Sequence, residues 1–336
     1  MKRIIHFSFL LSIIVFYYGC GTHNKIGFIQ HGDQVDVMAG GRLITSYLYG
    51  QHLSKPILYP VHSPSGEVVT RGYPFKEIEG ESNDHPHHTG VSFTYGSNGE
   101  VNGNSFWANL HDKPPLTMDE KLPRIRQEKI LEMKGGGDKG MLRTVNHWID
   151  RNNKTILEES RIMDFYSSED EYKIDFTIHL SALDTSVTFK DTKEGMFAIR
   201  VADWLAENAK GKLYESTGEY LNAEGERTEK NIWARRSAWV RLEGEKEDKK
   251  IGITVFHHPQ SVNYPAYWHA RGYGCFAANP IGQYDYQEGR GLVNPQQRSL
   301  TLQPGEMVLF KFRMVIYEGP RTKEAIEEEF TDFSKN

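Results

Sequence analysis

Long stretches of this sequence alternate apolar and polar residues with a period of two. The pattern is clearest from Tyr172 to Leu180 and from Met307 to Val315, with a shorter copy from Val35 to Met38. Alternation of this kind places one set of side chains on each face of an extended strand. Turn-forming pairs separate the strands: Asn98-Gly99, Asn102-Gly103, Asn152-Asn153 and Pro304-Gly305. The chain has 31 glycines and 14 prolines, enough to supply such punctuation throughout. Only residues 320–333 read as helix, with Pro320 near the start and a charged face. Strands without intervening helices argue against a parallel βαβ fold and for stacked antiparallel sheets. The expectation is all-β: one large antiparallel β-sandwich over residues 31–318, followed by a short C-terminal helix in residues 319–336. Gly135-Gly136-Gly137 reads equally as a hairpin tip or a hinge, and residues 243–250 read as a solvated hairpin.

The N-terminus has a different character. Lys2 and Arg3 precede an apolar run from Ile4 to Tyr18, shorter than the ~20 residues that span a bilayer, and the layout is that of a secretory signal. The run ends at Gly19-Cys20, which resembles a lipoprotein cleavage site, although Tyr17 stands where a Leu is usual. Residues 1–19 are therefore expected to be a signal peptide and Cys20 a lipidation site, with residues 20–30 as a tether. This predicts an exported protein, anchored by lipid in the periplasm or at the outer membrane. Cys275 is the one other cysteine, so no disulfide framework is expected.

Composition removes further classes. Forty basic against 45 acidic side chains give a net charge of -5, without the positive field of a nucleic-acid binder. Instead the chain carries 14 His, 17 Tyr, 17 Phe and 6 Trp. Six of the histidines fall in two segments. One is Asp84-His85-Pro86-His87-His88-Thr89-Gly90. The other holds His257-His258-Pro259 and then Tyr264 through Gly274, including Tyr267-Trp268-His269-Ala270-Arg271 and Tyr273.

Three readings compete for the first segment. His85, His87, His88 and Asp84 are metal-ligand types, so a divalent cation is one reading. In an extended segment His85 and His87 would share a face and His88 would point away. Acid–base catalysis is the second, because imidazole titrates near neutrality. The third is a turn-rich loop whose histidines satisfy backbone groups. The second segment reads as a carbohydrate subsite, with Tyr264, Tyr267, Trp268 and Tyr273 offering ring faces and His269 and Arg271 reaching polar groups. For any single ring a core role is the plainer alternative. Arg200, Arg235 and Arg236 are candidate carboxylate clamps. Asp203, Glu219 and Glu224 are candidate acids or bases, with a surface role equally open for the two glutamates.

Together with Phe106-Trp107, the segment from Ile199 to Asp203 and the stretch ending at Asn279-Pro280, the two histidine motifs resemble an exported bacterial family described as PmoA-like. The resemblance covers roughly residues 30–318. It implies a shape similar to the galactose-mutarotase-like supersandwich and a setting in polysaccharide use. A true membrane monooxygenase subunit is excluded, because such a subunit needs several spans and this chain has one short apolar stretch.

These residues fit a lyase or dehydratase that eliminates across a uronic acid in an oligosaccharide. His88, His258, Tyr264 and Arg271 would then be catalytic. His85, His87, Trp107, Arg200, Arg235, Tyr267, Trp268, His269, Tyr273 and Asn279 would bind substrate. A glycoside hydrolase with a carboxylate pair, a mutarotase or epimerase, and a non-catalytic sugar-binding lipoprotein remain alternatives. Partners are expected to be an oligosaccharide and the membrane, not nucleic acid.

Overall fold

The computed structural model describes residues 25–107 and 122–335. The expected signal peptide and the lipidation site at Cys20 lie outside the described residues. Every strand pairing is antiparallel, and two large sheets carry the molecule. The nine-stranded sheet runs in the spatial order Ile26–His31, Gln34–Ala39, Arg42–Leu48, Ile57–Val61, Val91–Tyr95, Gly195–Arg200, Cys275–Asn279, Ala266–Trp268, Arg236–Ser237. The eight-stranded sheet runs Glu219–Asn222, Trp239–Lys246, Lys249–His257, Met307–Glu318, Glu171–Ala182, Thr155–Ser167, Lys139–Ile149, Arg124–Lys134. A two-stranded ribbon, Val187–Phe189 with Leu300–Leu302, completes the β-structure. The fold is the all-β antiparallel sandwich that the alternation predicts.

The period of two sets which residues fill the core. In Glu171–Ala182 every second side chain, from Tyr172 to Ala182, is buried. Across the sandwich, Phe197 of the nine-stranded sheet stacks on Phe312 of the other sheet at 4.7 Å and meets Phe176 edge-on at 4.8 Å. Phe93 meets Phe310 in the same way at 5.2 Å. Aromatic pairs in this geometry add to the burial term.

The turn residues sit where their chemistry demands. Asn153 (φ 64°), Asn102 (φ 47°) and Gly305 (φ 81°) take left-handed backbone. Gly135-Gly136-Gly137 is a hairpin tip between Arg124–Lys134 and Lys139–Ile149, and Glu247-Asp248 turns the hairpin expected over 243–250.

The C-terminal helix spans Lys323–Ser334 and begins three residues later than the sequence suggests. Thr322 is its N-cap, accepting from the Ala325 N–H at 3.3 Å, so Pro320 lies in the approach and not in the helix. Ile326, Phe330 and Phe333 pack it on Trp239, Phe256 and Tyr317, on the outer face of the eight-stranded sheet. Two short helices, Glu229–Ile232 and Tyr284–Gly289, were not legible by periodicity because neither completes two turns.

Candidate functional site

Register builds the floor of the site on the outer face of the nine-stranded sheet. Ser92, Ala198 and Ala277 lie side by side on adjacent strands, and His269 exchanges backbone hydrogen bonds with Ala277. The next row along holds Arg200 opposite Cys275, which bridges in turn to Arg271. The intervening residues, Phe197 and Trp268 among them, point into the core. Three small side chains make a shallow floor, with His269, Arg200 and Arg271 around it.

The loop of residues 82–90 forms one wall. Arg71, whose side chain has no exposed surface, is its spine. Nη1 donates to the backbone oxygen of Asp84 (2.7 Å) and to its carboxylate (2.8 Å), while Nη2 donates to the carbonyls of His85 (3.1 Å) and His88 (3.2 Å). Gly90 closes the loop at φ 48°, where a Cβ would stand 2.3 Å from the carbonyl oxygen of Leu58. Only glycine fits that approach.

The Asp84 carboxylate is the hub. Beyond Arg71 it receives Arg200 Nη2 at 2.7 Å, Lys210 Nζ at 3.0 Å and His85 Nδ1 at 2.9 Å. Burial alone would raise its pKa, but the His85 bond and the three cations outweigh it and hold the carboxyl far below its ordinary range. An ionised carboxylate can only accept, so the proton of the His85 contact belongs to Nδ1, and in the neutral ring Nε2 keeps its lone pair. The side chain of His85 is 36% exposed, whereas His88 in the same loop is buried.

The rings stack differently from expectation. His85 has φ 43° and the His88 N–H returns to its carbonyl at 3.0 Å, so the segment is a turn and not an extended strand. His85 therefore lies parallel to His88 (4.9 Å, 2°) and to Tyr273 (4.9 Å, 4°), while His87 meets both imidazoles edge-on. Arg200 lies 4.8 Å over the Tyr273 ring, with Lys210 at 5.5 Å and Arg271 at 5.7 Å.

Beneath the rings, His87, His88, Trp107, Arg200 and Cys275 enclose a recess of ≈ 10 Å³, room for about one water. It is lined by polar atoms that lack partners among the described residues: both ring nitrogens of His88, Nε and Nη1 of Arg200, and Nε1 of Trp107. Burial, with Lys55 next, pulls His87 down to about 3. Burial, with Arg271 next, does the same to His269, also to about 3. His88 is lowered well below its ordinary value, by burial first and then by the neighbouring His87. These three imidazoles are neutral at physiological pH. Among the described residues, no three His, Cys, Asp or Glu side chains are placed to hold a metal ion.

Glu194 stands at the other end of the same central strand, 21% exposed. Burial raises its carboxyl and Asp285 adds to the rise, while Lys193, His85 and Arg271 oppose it. Glu194, Lys210 and Arg71 are not legible as site residues in the sequence. Each sits in a locally ordinary polar or turn context, with no signal before the strands are assembled.

The second histidine segment divides. His269, Arg271 and Tyr273 join the site. His258 and Tyr264, expected to be catalytic beside His88, do not: His258 packs edge-on against Phe333 at 4.8 Å, and Tyr264 stacks with Phe330 of the C-terminal helix and lies at a tilt against His257. The chain leaves the eight-stranded sheet after His257 and joins the nine-stranded sheet only at Ala266, which separates the two halves. Trp268 is fully buried with its Nε1 donating to Ser237 O at 2.9 Å, a core role. Asn279 is likewise buried, its carboxamide oxygen accepting from the N–H groups of Ile281 and Gly282 and its nitrogen donating to Thr192 O. Arg235 and Tyr267 face a separate recess nearby. Of the carboxylates considered for hydrolysis, Glu219 pairs with Arg227 and Arg241 on the edge strand of the other sheet. Glu224 is exposed, and Asp203 is fully buried, accepting from Ser82 N–H at 2.7 Å.

These features define a large antiparallel β-sandwich with a histidine-, arginine- and tyrosine-rich site on the outer face of one sheet. The chain belongs to the family of unknown function DUF6807, whose model matches residues 34–331. No curated protein matches it.

Among solved structures, a β-arabinopyranosidase is 11% identical, covering 88% of this chain and 38% of its own, with a TM-score of 0.32. An α-galactosidase from Geobacillus stearothermophilus is 13% identical over 88% of this chain and 40% of its own (TM-score 0.35). This chain thus spans about 40% of the length of that glycosidase. A galactose mutarotase-like protein from Clostridium acetobutylicum is 10% identical over 88% of this chain and 95% of its own (TM-score 0.37).

Proposed function

We propose that this protein is a carbohydrate-active enzyme that moves protons at the reducing carbon of a sugar, a mutarotase or epimerase type of reaction. The observation that carries the reading is the Asp84–His85 pair, with a part-exposed imidazole, within electrostatic reach of Glu194, whose carboxyl is biased toward its protonated form. In a mutarotation, His85 Nε2 takes the proton of the anomeric hydroxyl as C1=O forms and the C1–O5 bond breaks. Glu194 gives its proton to O5. Rotation about C1–C2 and the reverse transfers close the ring on the other face, so both groups return to their starting states. Asp84 steadies the imidazolium in between. The PmoA-like resemblance of the two histidine motifs, with its implied setting in polysaccharide use, supports the same substrate class.

The excess of cations favours one second reading, elimination across a uronate. Lys210 and Arg271 would neutralise the charge that builds on the sugar carboxylate, His85 would take the C5 proton and Glu194 would protonate the departing oxygen. Under either reading the N-terminal segment implies an exported, lipid-anchored enzyme.

The deciding experiment follows freshly dissolved galactose, glucose, galacturonate and glucuronate by polarimetry, and uronate oligosaccharides by ultraviolet absorbance. Anomer interconversion faster than the uncatalysed rate supports the first reading, and a new conjugated double bond the second. Neither signal across the panel would sink both.

A further inference from the structure

The outer face of the nine-stranded sheet continues past His269. Two residues back along the strand, Tyr267 is placed on the same side, about 7 Å away along an extended chain. Beside it lies a recess of ≈ 190 Å³ walled by Arg235, Arg236, Tyr267, Tyr286, Gln287 and Arg290. A closed crevice with no room for a ligand shares Arg236 and Tyr267 with it and brings in Arg298 alongside.

The walls are held rigidly. Tyr267 stacks on Tyr286 at 5.1 Å and 14°, and its hydroxyl accepts from Gln287 Nε2 at 3.2 Å. Tyr286 in turn donates to the Lys193 carbonyl at 2.9 Å, which ties this recess to the segment that carries Glu194. Arg236 is fixed by the carbonyls of Asn263, Tyr264 and Pro265, and Arg290 by those of Lys230, Asn231 and Trp233.

Four guanidinium groups therefore crowd one place with little counter-charge. Arg235 pairs with Glu226 at 3.5 Å, and among the described residues no carboxylate forms an ion pair with Arg236, Arg290 or Arg298. Asp191 lies near Arg298 but is occupied by the backbone N–H groups of Gln283, Tyr284 and Arg298. Nε of Arg290 is buried with no partner among the described residues. Burial, and then the neighbouring arginine, lowers the pKa of both Arg290 and Arg298. In a chain of net charge -5 such a concentration of positive charge is a local cost that an anion would relieve.

We propose that this recess is a second binding site, which takes the carboxylate or sulfate of an acidic sugar linked to the one held at His85 and Glu194. That a sugar carries the anion rests on the function proposed above; the anion site itself does not.

Isothermal titration calorimetry on the whole chain tests it, with digalacturonate, its methyl ester and a galactose sulfate as probes. We expect the diacid or the sulfate to bind at least about tenfold more tightly than the neutral ester; which of the two does so names the anion. Arg235→Gln and Arg298→Gln, both at exposed positions, should each remove most of that preference, and added salt should weaken it. His85→Gln should leave it intact, so that loss of turnover and loss of anion binding stay distinguishable. Equal affinity for acid and ester, or an unchanged preference in both arginine variants, would overturn the proposal.

Discussion

Nδ1 of His85 lies 2.9 Å from one oxygen of Asp84, while Arg200 grips the other oxygen at 2.7 Å. One carboxylate thus orients the part-exposed imidazole and also neutralises two guanidinium groups, those of Arg71 and Arg200, that have no exposed side-chain surface. Its removal is expected to be felt in stability before activity is measured. Asp84→Asn leaves both arginines without their ion-pair partner, and breaking such a pair costs about 3 kcal/mol or more. The folded pKa of Asp84 is depressed, so its contribution is full above the unfolded value of about 3.9 and disappears only in strong acid. Urea titrations at pH 7 and pH 4 should show nearly the same deficit for the variant at both. A deficit that vanishes by pH 4 would contradict the electrostatic account.

The separation of the two histidine loci predicts opposite phenotypes. His85→Gln should reduce turnover by about 10²- to 10⁴-fold, the usual scale for a lost proton-transfer group, with little change in the denaturation midpoint. His258→Gln should leave turnover unchanged and lower stability, because it disturbs the contact with Phe333 that seats the C-terminal helix. Equal losses of activity in the two variants would return His258 to the site.

Glu194→Gln should also cost turnover by about 10²- to 10⁴-fold. Its carboxyl is raised in the folded chain, so it favours the fold below its unfolded pKa and becomes a liability as pH rises through the folded value. At pH 7 the glutamine variant should therefore melt at a higher temperature than the parent while turning over more slowly. Reduced stability together with lost activity would point to a structural role instead.

Buried imidazoles set the pH dependence of the fold. His257 and His269 are held down to about 3, by burial first and then by Arg236 and Arg271 respectively. Between that value and the unfolded pKa of about 6.5 the unfolded chain binds protons that the folded chain refuses, so stability falls as pH falls through this window. Each fully neutral imidazole contributes a slope of up to about 1.4 kcal/mol per pH unit. Guanidinium midpoints measured from pH 7 to pH 5 should decline, and His257→Gln should make the decline shallower. A flat profile would mean that these rings find protons in the folded state.

The sequence determined what short-range chemistry can determine. Alternation in residues 172–180 and 307–315 required strands with one apolar face, and Asn153 and Gly305 required turns, because both depend on a residue and its immediate neighbours. It also named the groups: His85, His88, His269, Arg200, Arg271 and Tyr273 were all legible as candidates. What it could not settle was which of them meet.

His269 and His258 lie only eleven positions apart, yet one faces the site and the other sits under the C-terminal helix. Trp268 and His269 are adjacent, yet face opposite sides of one strand. Glu194 and Lys210 looked like ordinary loop residues. These outcomes depend on strand order and register, which put Val91–Tyr95, Gly195–Arg200, Cys275–Asn279 and Ala266–Trp268 side by side from three distant parts of the chain. Pairing of that kind is decided by burying the Phe197 and Phe312 faces against each other, and only the assembled sandwich contains that information.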